Sequence, residues 1–485
     1  MESVKAASTT ECLPEEQQGL RRGLKPRHLQ LIALGGIIGS CYFLGSGYVI
    51  DSAGPGAWLA YALGGAIIFM VMACLGELAV AIPVSGSFVS YAHDLISPTW
   101  ACGVGWSYWS TWVTYVPSEM IAAGIIMHNF FPGIEPVYWA ILFGLVLTFI
   151  NLAYVGTFGE LEFWLALIKI IAIIAFCVFA VLIFLGVIGE QGFLGATYLT
   201  GQGGMFPKGI PAVLLTMVII LVNFQGSELI GLAAGESQHP EKSIPVAIRN
   251  VTWRIIALYV IPLFLLVTIF PWEKAGLEES VFAAALNAYG LNWAGSLFSV
   301  VVLTAALSCA NSGIYGTARA LYGLSRAGLA PKWLGKVNKK GAPKNAILMT
   351  IIPCWIGIIA YTLDTSETLY TYLLALSGFT GVMAWVSICW SQLAFRRKLE
   401  KQGYDISRLK YKTPLFPYLT HFAIWSQLAC VAVMAFNPDL RTSLYVGIPM
   451  LLLPMAWYRI WGRKMQSKMA PVNMFTELFG HTVKQ

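Results

Sequence analysis

Charge is scarce in this chain. Asp, Glu, Lys and Arg make up only 11% of its 485 residues, against roughly 25% in ordinary soluble domains. That shortage excludes a conventional water-exposed surface. Cysteine is present but unorganised: the nine residues are scattered, lack CxxC spacing and sit mostly in apolar runs, which argues against a disulfide framework or a metal site. His93, His128, His239 and His421 fall at the ends of apolar runs or in loops, without ligand spacing. No metal and no cofactor is therefore expected. Nor is there a nucleophile–base constellation or a phosphate loop, so an enzyme is not expected. Residues 1–28 are polar, carry Glu11, Glu15 and Glu16, and do not have the pattern of a secretory signal peptide. They read as a disordered lead-in.

What the chain has in abundance is apolar sequence, 57% of all residues. Twelve runs reach the length that crosses a bilayer as a helix. They cover about 29–50, 57–82, 100–127, 136–156, 161–188, 209–236, 251–271, 293–325, 344–363, 368–395, 415–437 and 441–461. The expected fold is an all-α polytopic membrane protein with twelve transmembrane helices. Lysine and arginine set its orientation. With the N-terminus cytoplasmic, the tails and even-numbered connections hold 27 of these residues and the outer connections hold only Lys208, Lys274 and Arg441. That is the positive-inside pattern. The basic loops flank spans and carry no nucleic-acid motif, so the net charge of +7 reflects topology and not a nucleic-acid partner.

Two of the runs are interrupted. The sixth contains VNFQGSELIGLAAGE, residues 222–236, with Asn223, Gln225, Ser227, Glu228 and three glycines. A carboxylate at that depth must face protein or a water-filled cavity, and unwound backbone is tolerated only beside such a cavity. The first run contains LGGIIGSCYFLGSG, residues 34–47, again broken by glycine. Two discontinuous helices in matching positions mark a transporter's binding site, and their separation by five spans suggests two inverted five-helix repeats. The expected units are a cytoplasmic tail 1–28, a first repeat 29–188, a second repeat 209–395, two extra helices within 415–461 and a cytoplasmic tail 462–485.

Several long motifs carry a family resemblance. GLKPRHLQLIALGGIIGSCYFLGSG, NFQGSELIGLAAGESQHPEKSIPVAIRNVTWR, FGELEFWLALIKIIAIIAF, LSCANSGIYGTARALYGLSRAGLAPK and LSGFTGVMAWVSICWSQLAFRRK resemble the first, sixth, fifth, eighth and tenth helices of amino-acid permeases of the amino acid–polyamine–organocation superfamily. The resemblance runs from about Gly23 to about Trp461. It implies a LeuT-type fold, with the substrate site between the breaks of helices 1 and 6. One departure is local: the family's first-helix motif ordinarily ends in glycine, whereas here it reads Gly36-Ile37-Ile38-Gly39-Ser40-Cys41. The cysteine adds a side chain where backbone would otherwise face the ligand.

The chemistry of an amino-acid substrate assigns roles to the two breaks. A carboxylate suits free N–H groups at a helix start, here Gly39, Ser40 and Cys41. An ammonium suits unwound carbonyls, those of Ile37, Phe224 and Ser227, with Gln225 among the polar groups beside them. Small residues for close helix packing are the structural alternative. Glu119, two residues after Pro117, faces either the substrate or polar groups elsewhere; a cationic substrate supplies it with a counter-ion. Glu228 either accepts hydrogen bonds from the unwound first-helix backbone or takes part in proton movement. Lys169 sits in an apolar fifth helix, as a proton carrier, a fixed charge or a snorkelling side chain. The resemblance implies that its ammonium stands where related transporters hold sodium, near Gly36 and Ser308, so sodium dependence is not expected. Asn311 and Ser312 either line the pathway or bridge helices. Trp385 is a candidate to close over the substrate, among tryptophans that otherwise anchor helices at the interface. Glu77 and Glu236 read as ion-pair residues at the inner end, with Arg319 and Arg326 as partners.

The reading that follows is a plasma-membrane importer of an L-amino acid coupled to protons, working in the bilayer without a required protein partner. The string ELIGLAAGES and the loop FRRKLEKQGYDISRLKYKTPLFP look most like members for arginine, lysine or S-methylmethionine, which favours a cationic substrate. Neutral or aromatic amino acids, and exchange of one amino acid for another, are the alternatives. A sensor that binds without transport is disfavoured by the short tails.

Overall fold

Apolar runs of this length fold as helices because lipid offers no partner for backbone N–H and C=O groups. In the computed structural model the described residues are 38–84, 86–153, 158–201, 203–234, 240–338, 342–363 and 367–462, and no strand occurs among them. The second to fifth runs are the helices Ala57–Ala81, Pro98–Phe130, Pro136–Ala153 and Phe158–Phe184. The eighth to twelfth are Asn292–Arg326, Lys344–Leu363, Glu367–Lys401, Tyr418–Met434 and Pro438–Trp457, the last continued by a π-turn at Tyr458–Gly462. Among the described residues, seven helical stretches are long and apolar enough to cross a membrane. The molecule is a multi-pass membrane protein.

Both interrupted runs leave their mark. The first is described from Ile38: two non-helical residues precede a π-turn at Cys41–Gly45, which leads into the helix Ser46–Ala53. The sixth is divided into Gly209–Leu215, Met217–Val222 and Leu229–Ala234. Between the last two, the chain turns at Gly226, whose φ of +99° is open to glycine and strained for other residues. Gly36, Ile37, Glu236 and His239 lie outside the described residues.

The third helix is the centre of the bundle. It packs against the fourth, eighth, ninth, tenth and twelfth helices, yet it is not among the helices apolar enough to qualify as a span by composition. Its hydroxyls explain how it is buried all the same. Ser110, Thr111, Thr114 and Ser118 donate back to the carbonyls of Trp106, Ser107, Ser110 and Tyr115 at 2.7–3.3 Å, so the polar groups reach the interior already satisfied. The helix runs through Pro117 without a break in its assignment.

Two differences from the sequence reading are local. The seventh helix begins at Pro240 and not near 251; it runs to Ile255, through a π-turn at Ile256–Val260, to Ile269. Lys242, Arg249 and Arg254 lower the mean hydropathy of its first half, but Ile244, Ala247, Ile248 and Ile255 are buried at helical spacing and face the second helix. Two connections also contain helices of eight residues or more, Ser87–Leu95 and Val281–Ala288. The latter supplies Phe282 to an aromatic cluster over the first helix. Tyr42 packs in tilted pairs at 4.4 Å from Tyr259 and 5.3 Å from Phe282, Phe43 lies 5.4 Å from Phe298, and Phe176 lies 4.8 Å from Phe282. Such ring pairs each contribute about 0.5–1.5 kcal/mol beyond the area they bury.

Candidate functional site

The first helix, just past its break, is linked in the interior to the sixth-helix break through Tyr61 of the second helix. The Tyr61 hydroxyl lies 3.0 Å from Ser46 Oγ on the first helix and accepts from Asn223 Nδ2 at the sixth-helix break, at 2.8 Å. Phe224 packs 4.8 Å from Tyr259, whose hydroxyl donates to the Asn223 carbonyl at 3.1 Å. The side chains of Ser40, Cys41, Glu119, Phe224, Gln225, Ser227 and Glu228 are all buried.

At the first break the free N–H is taken by a protein carboxylate. Ser40 N donates to Glu119 Oε2 at 3.0 Å and to Oε1 at 3.2 Å. Gly39 makes this approach possible: a Cβ there would stand 2.4 Å from Glu119 Oε1 and 2.9 Å from both Cys309 Sγ and the Tyr115 hydroxyl. Cys41 is accommodated within the first helix. Its Sγ packs toward Gly45 one turn on, which has room because it lacks a Cβ; a Cβ at that position would meet the sulfur at 3.1 Å.

At the sixth break a second carboxylate does similar work. Glu228 accepts from Gly226 N through both oxygens at 3.2 Å, from the Tyr108 hydroxyl at 2.9 Å and from Trp385 Nε1 at 2.9 Å. This departs from the first of the two sequence readings of Glu228. Among the described residues Glu228 caps its own helix break, whereas the carboxylate bound to first-helix backbone is Glu119. Charge at a helix start explains both placements, because each break leaves N–H groups that need acceptors. Trp385 is thereby tied to the sixth helix by its indole N–H.

The carbonyls expected to meet an ammonium are partly used within the break. The Phe224 carbonyl accepts from Ser227 Oγ at 2.7 Å and Ser227 N at 3.3 Å, and the Ser227 carbonyl takes a longer bond of 3.4 Å from Ile230 N. Gln225 is committed to the tenth helix. Its Nε2 donates to the Ser377 carbonyl at 2.8 Å and its Oε1 accepts from Ser377 Oγ at 2.7 Å.

Lys169 is fully buried and donates from Nζ to Ser308 Oγ at 2.8 Å. Ser308 Oγ in turn donates to Glu162 Oε1. Lys169 also faces Glu119 from the third helix and Cys309 from the eighth, so the fifth-helix lysine and the first break share an electrostatic environment. Asn311 bridges helices: its Oδ1 accepts from Asn151 Nδ2 at 2.9 Å.

Glu77 requires a second correction. Its partner is Arg396 of the tenth helix and neither Arg319 nor Arg326. Arg396 Nε donates to Oε1 and Nη2 to Oε2 at 2.7 Å; Gln392 Nε2 adds a bond at 3.1 Å and Thr413 N one at 2.6 Å. Arg319 stacks on Tyr315, 3.4 Å from the ring centre.

Three residues around these groups were legible in the sequence. Tyr108 and Tyr115 fall on one face of the third helix with Glu119, at intervals of seven and four residues. Glu162 lies seven residues before Lys169, two turns away on the same face. A carboxylate at that spacing from a buried lysine is the signal that pointed to it.

Comparison with known proteins places the sequence among amino acid permeases. The profile of the amino acid permease family matches residues 28–470. Amino-acid permease RocC of Bacillus subtilis is 42% identical over 450 residues, covering 91% of this chain and 94% of its own. Lysine-specific permease LysP of Escherichia coli is 36% identical over 463 residues, covering 92% and 94%. Aromatic amino acid transport protein AroP of Escherichia coli is 38% identical over 435 residues, covering 90% and 94%.

Proposed function

The chain belongs to the amino acid permease family, and we propose that it imports a cationic L-amino acid, arginine or lysine, across the cell membrane by proton symport. In this reading both termini are cytoplasmic, and two inverted five-helix repeats, 29–188 and 209–395, alternate around the paired breaks.

The observation that carries the reading is the Glu119 carboxylate on the Ser40 N–H. A backbone donor that holds a carboxylate in the closed interior is suited to the carboxylate of a substrate. When the substrate takes that donor, Glu119 needs a counter-ion, and a cationic side chain supplies one in low dielectric. Lys169, joined to Ser308, provides a proton-carrying group where a coupling ion would otherwise sit. The similarity to LysP, lysine-specific by its name, supports the cationic substrate. The similarity to AroP supports a second reading, an aromatic amino acid.

The test is uptake of labelled arginine into proteoliposomes under an inward proton gradient, with a sodium gradient as control. Proton-driven accumulation, competed by lysine and indifferent to sodium, is expected. Accumulation of labelled tryptophan without arginine would establish the second reading, and uptake driven by sodium alone would reject proton symport.

A further inference from the structure

Lys169, Ser308 and Glu162 form a continuous chain of donors and acceptors between the fifth and eighth helices. Nζ of Lys169 donates to Ser308 Oγ at 2.8 Å, and the Ser308 hydroxyl donates to Glu162 Oε1. All three side chains are fully buried. The other carboxylate oxygen, Glu162 Oε2, has no hydrogen-bond partner among the described residues, although Ser312, one turn from Ser308, faces the same carboxylate. A buried carboxylate with an unmet acceptor is costly in its charged form.

We propose that Glu162 is the acceptor of the Lys169 proton, with the Ser308 hydroxyl as the relay. The step balances. An N–H bond of the ammonium breaks as a new O–H bond forms at Ser308 Oγ, while the original Ser308 proton moves to Glu162 Oε1. A charged pair becomes a neutral amine and a carboxylic acid; Ser308 is regenerated, with its hydrogen bonds reversed in direction. Nothing is oxidised or reduced. Glu162 lies seven residues nearer the start of its helix than Lys169, about 10 Å along the axis, and in the proposed orientation that end is cytoplasmic. The relay therefore moves the coupling proton inward. The other titratable groups facing Lys169 are Glu119 and Cys309; they lie on the third and eighth helices beside the first break, so Glu162 is the carboxylate displaced toward the exit.

This inference rests on the proton-coupled reading above, and the experiment separates the two. Full-length wild type, Glu162→Gln, Glu162→Asp and Ser308→Ala are reconstituted and compared in gradient-driven arginine accumulation, its pH profile, and arginine counterflow at equal pH. Glu162→Gln is expected to lose the response to the gradient while counterflow persists. Glu162→Asp is expected to restore the response with a shifted pH profile, and Ser308→Ala to slow it. Wild-type accumulation and pH profile in Glu162→Gln would overturn the proposal. So would loss of counterflow together with accumulation in folded Glu162→Gln and Glu162→Asp, since that marks a packing role. Infrared difference spectra on a pH jump, without substrate, give an answer independent of transport. A protonated-carboxyl band present in wild type and absent from Glu162→Gln supports the relay, and no such band in wild type overturns it, even if arginine proves to be the wrong substrate.

Discussion

At the scale of single residues, the site is decided by which acceptor each free N–H finds. Ser40 N has the Glu119 carboxylate, and that contact exists only because position 39 has no side chain. Gly39→Ala would put a methyl group 2.4 Å from Glu119 Oε1 and so push the carboxylate off its donor. A hydrogen bond to a charged group contributes about 1.5–3 kcal/mol, equivalent to about a 10- to 150-fold change in rate or affinity. Gly39→Ala is expected to lower arginine uptake by that factor, with a monodisperse elution profile in detergent. Wild-type uptake in this variant would mean that Glu119 is not needed where it sits. Cys41 shows the opposite case, in which an apparently intrusive side chain is absorbed because Gly45 leaves room for it.

At the scale of elements, the second and tenth helices are clamped near their C-terminal ends by Glu77 and Arg396. The pair is buried, and Gln392 and Thr413 N complete the coordination of the carboxylate. Removing one partner of a buried pair leaves an uncompensated charge and costs about 3–5 kcal/mol. Arg396→Met and Glu77→Gln are each expected to lower the thermal unfolding temperature in detergent, and the double variant to recover part of the loss. A double variant less stable than either single one would show that the residues act separately. The third helix makes the complementary point. The hydroxyls of Ser110, Thr111, Thr114 and Ser118 are satisfied by its own carbonyls, which lets a helix of modest hydropathy occupy the middle of the bundle.

At the scale of the whole molecule, the connections between helices report which side faces the cytoplasm. Gly133, in the connection after the third helix, is exposed with nothing near its Cβ position, and Lys332, in the connection after the eighth, is also exposed. In the proposed orientation a membrane-impermeant maleimide labels Gly133→Cys in intact cells and Lys332→Cys only after permeabilisation. The reverse labelling would invert the topology and direct the Glu162 relay outward.

Composition and hydropathy by themselves determined that the chain crosses a membrane many times, because low charge and long apolar runs admit no other solvent for the fold. Glycine and polar residues in the sixth run located its break near Gly226, since only a cavity tolerates such backbone in lipid. Motif resemblance indicated the family. Tertiary structure alone decided the pairings: Glu119 with Ser40 N, Glu228 with Gly226, Tyr108 and Trp385, Glu77 with Arg396, and Lys169 through Ser308 to Glu162. These partners stand between 79 and 319 residues apart wherever they link different helices. Helical periodicity tells which face a residue occupies but not which helix that face meets. The choice of partner is set by how the helices pack, and in a low-dielectric interior every buried charge is held to it.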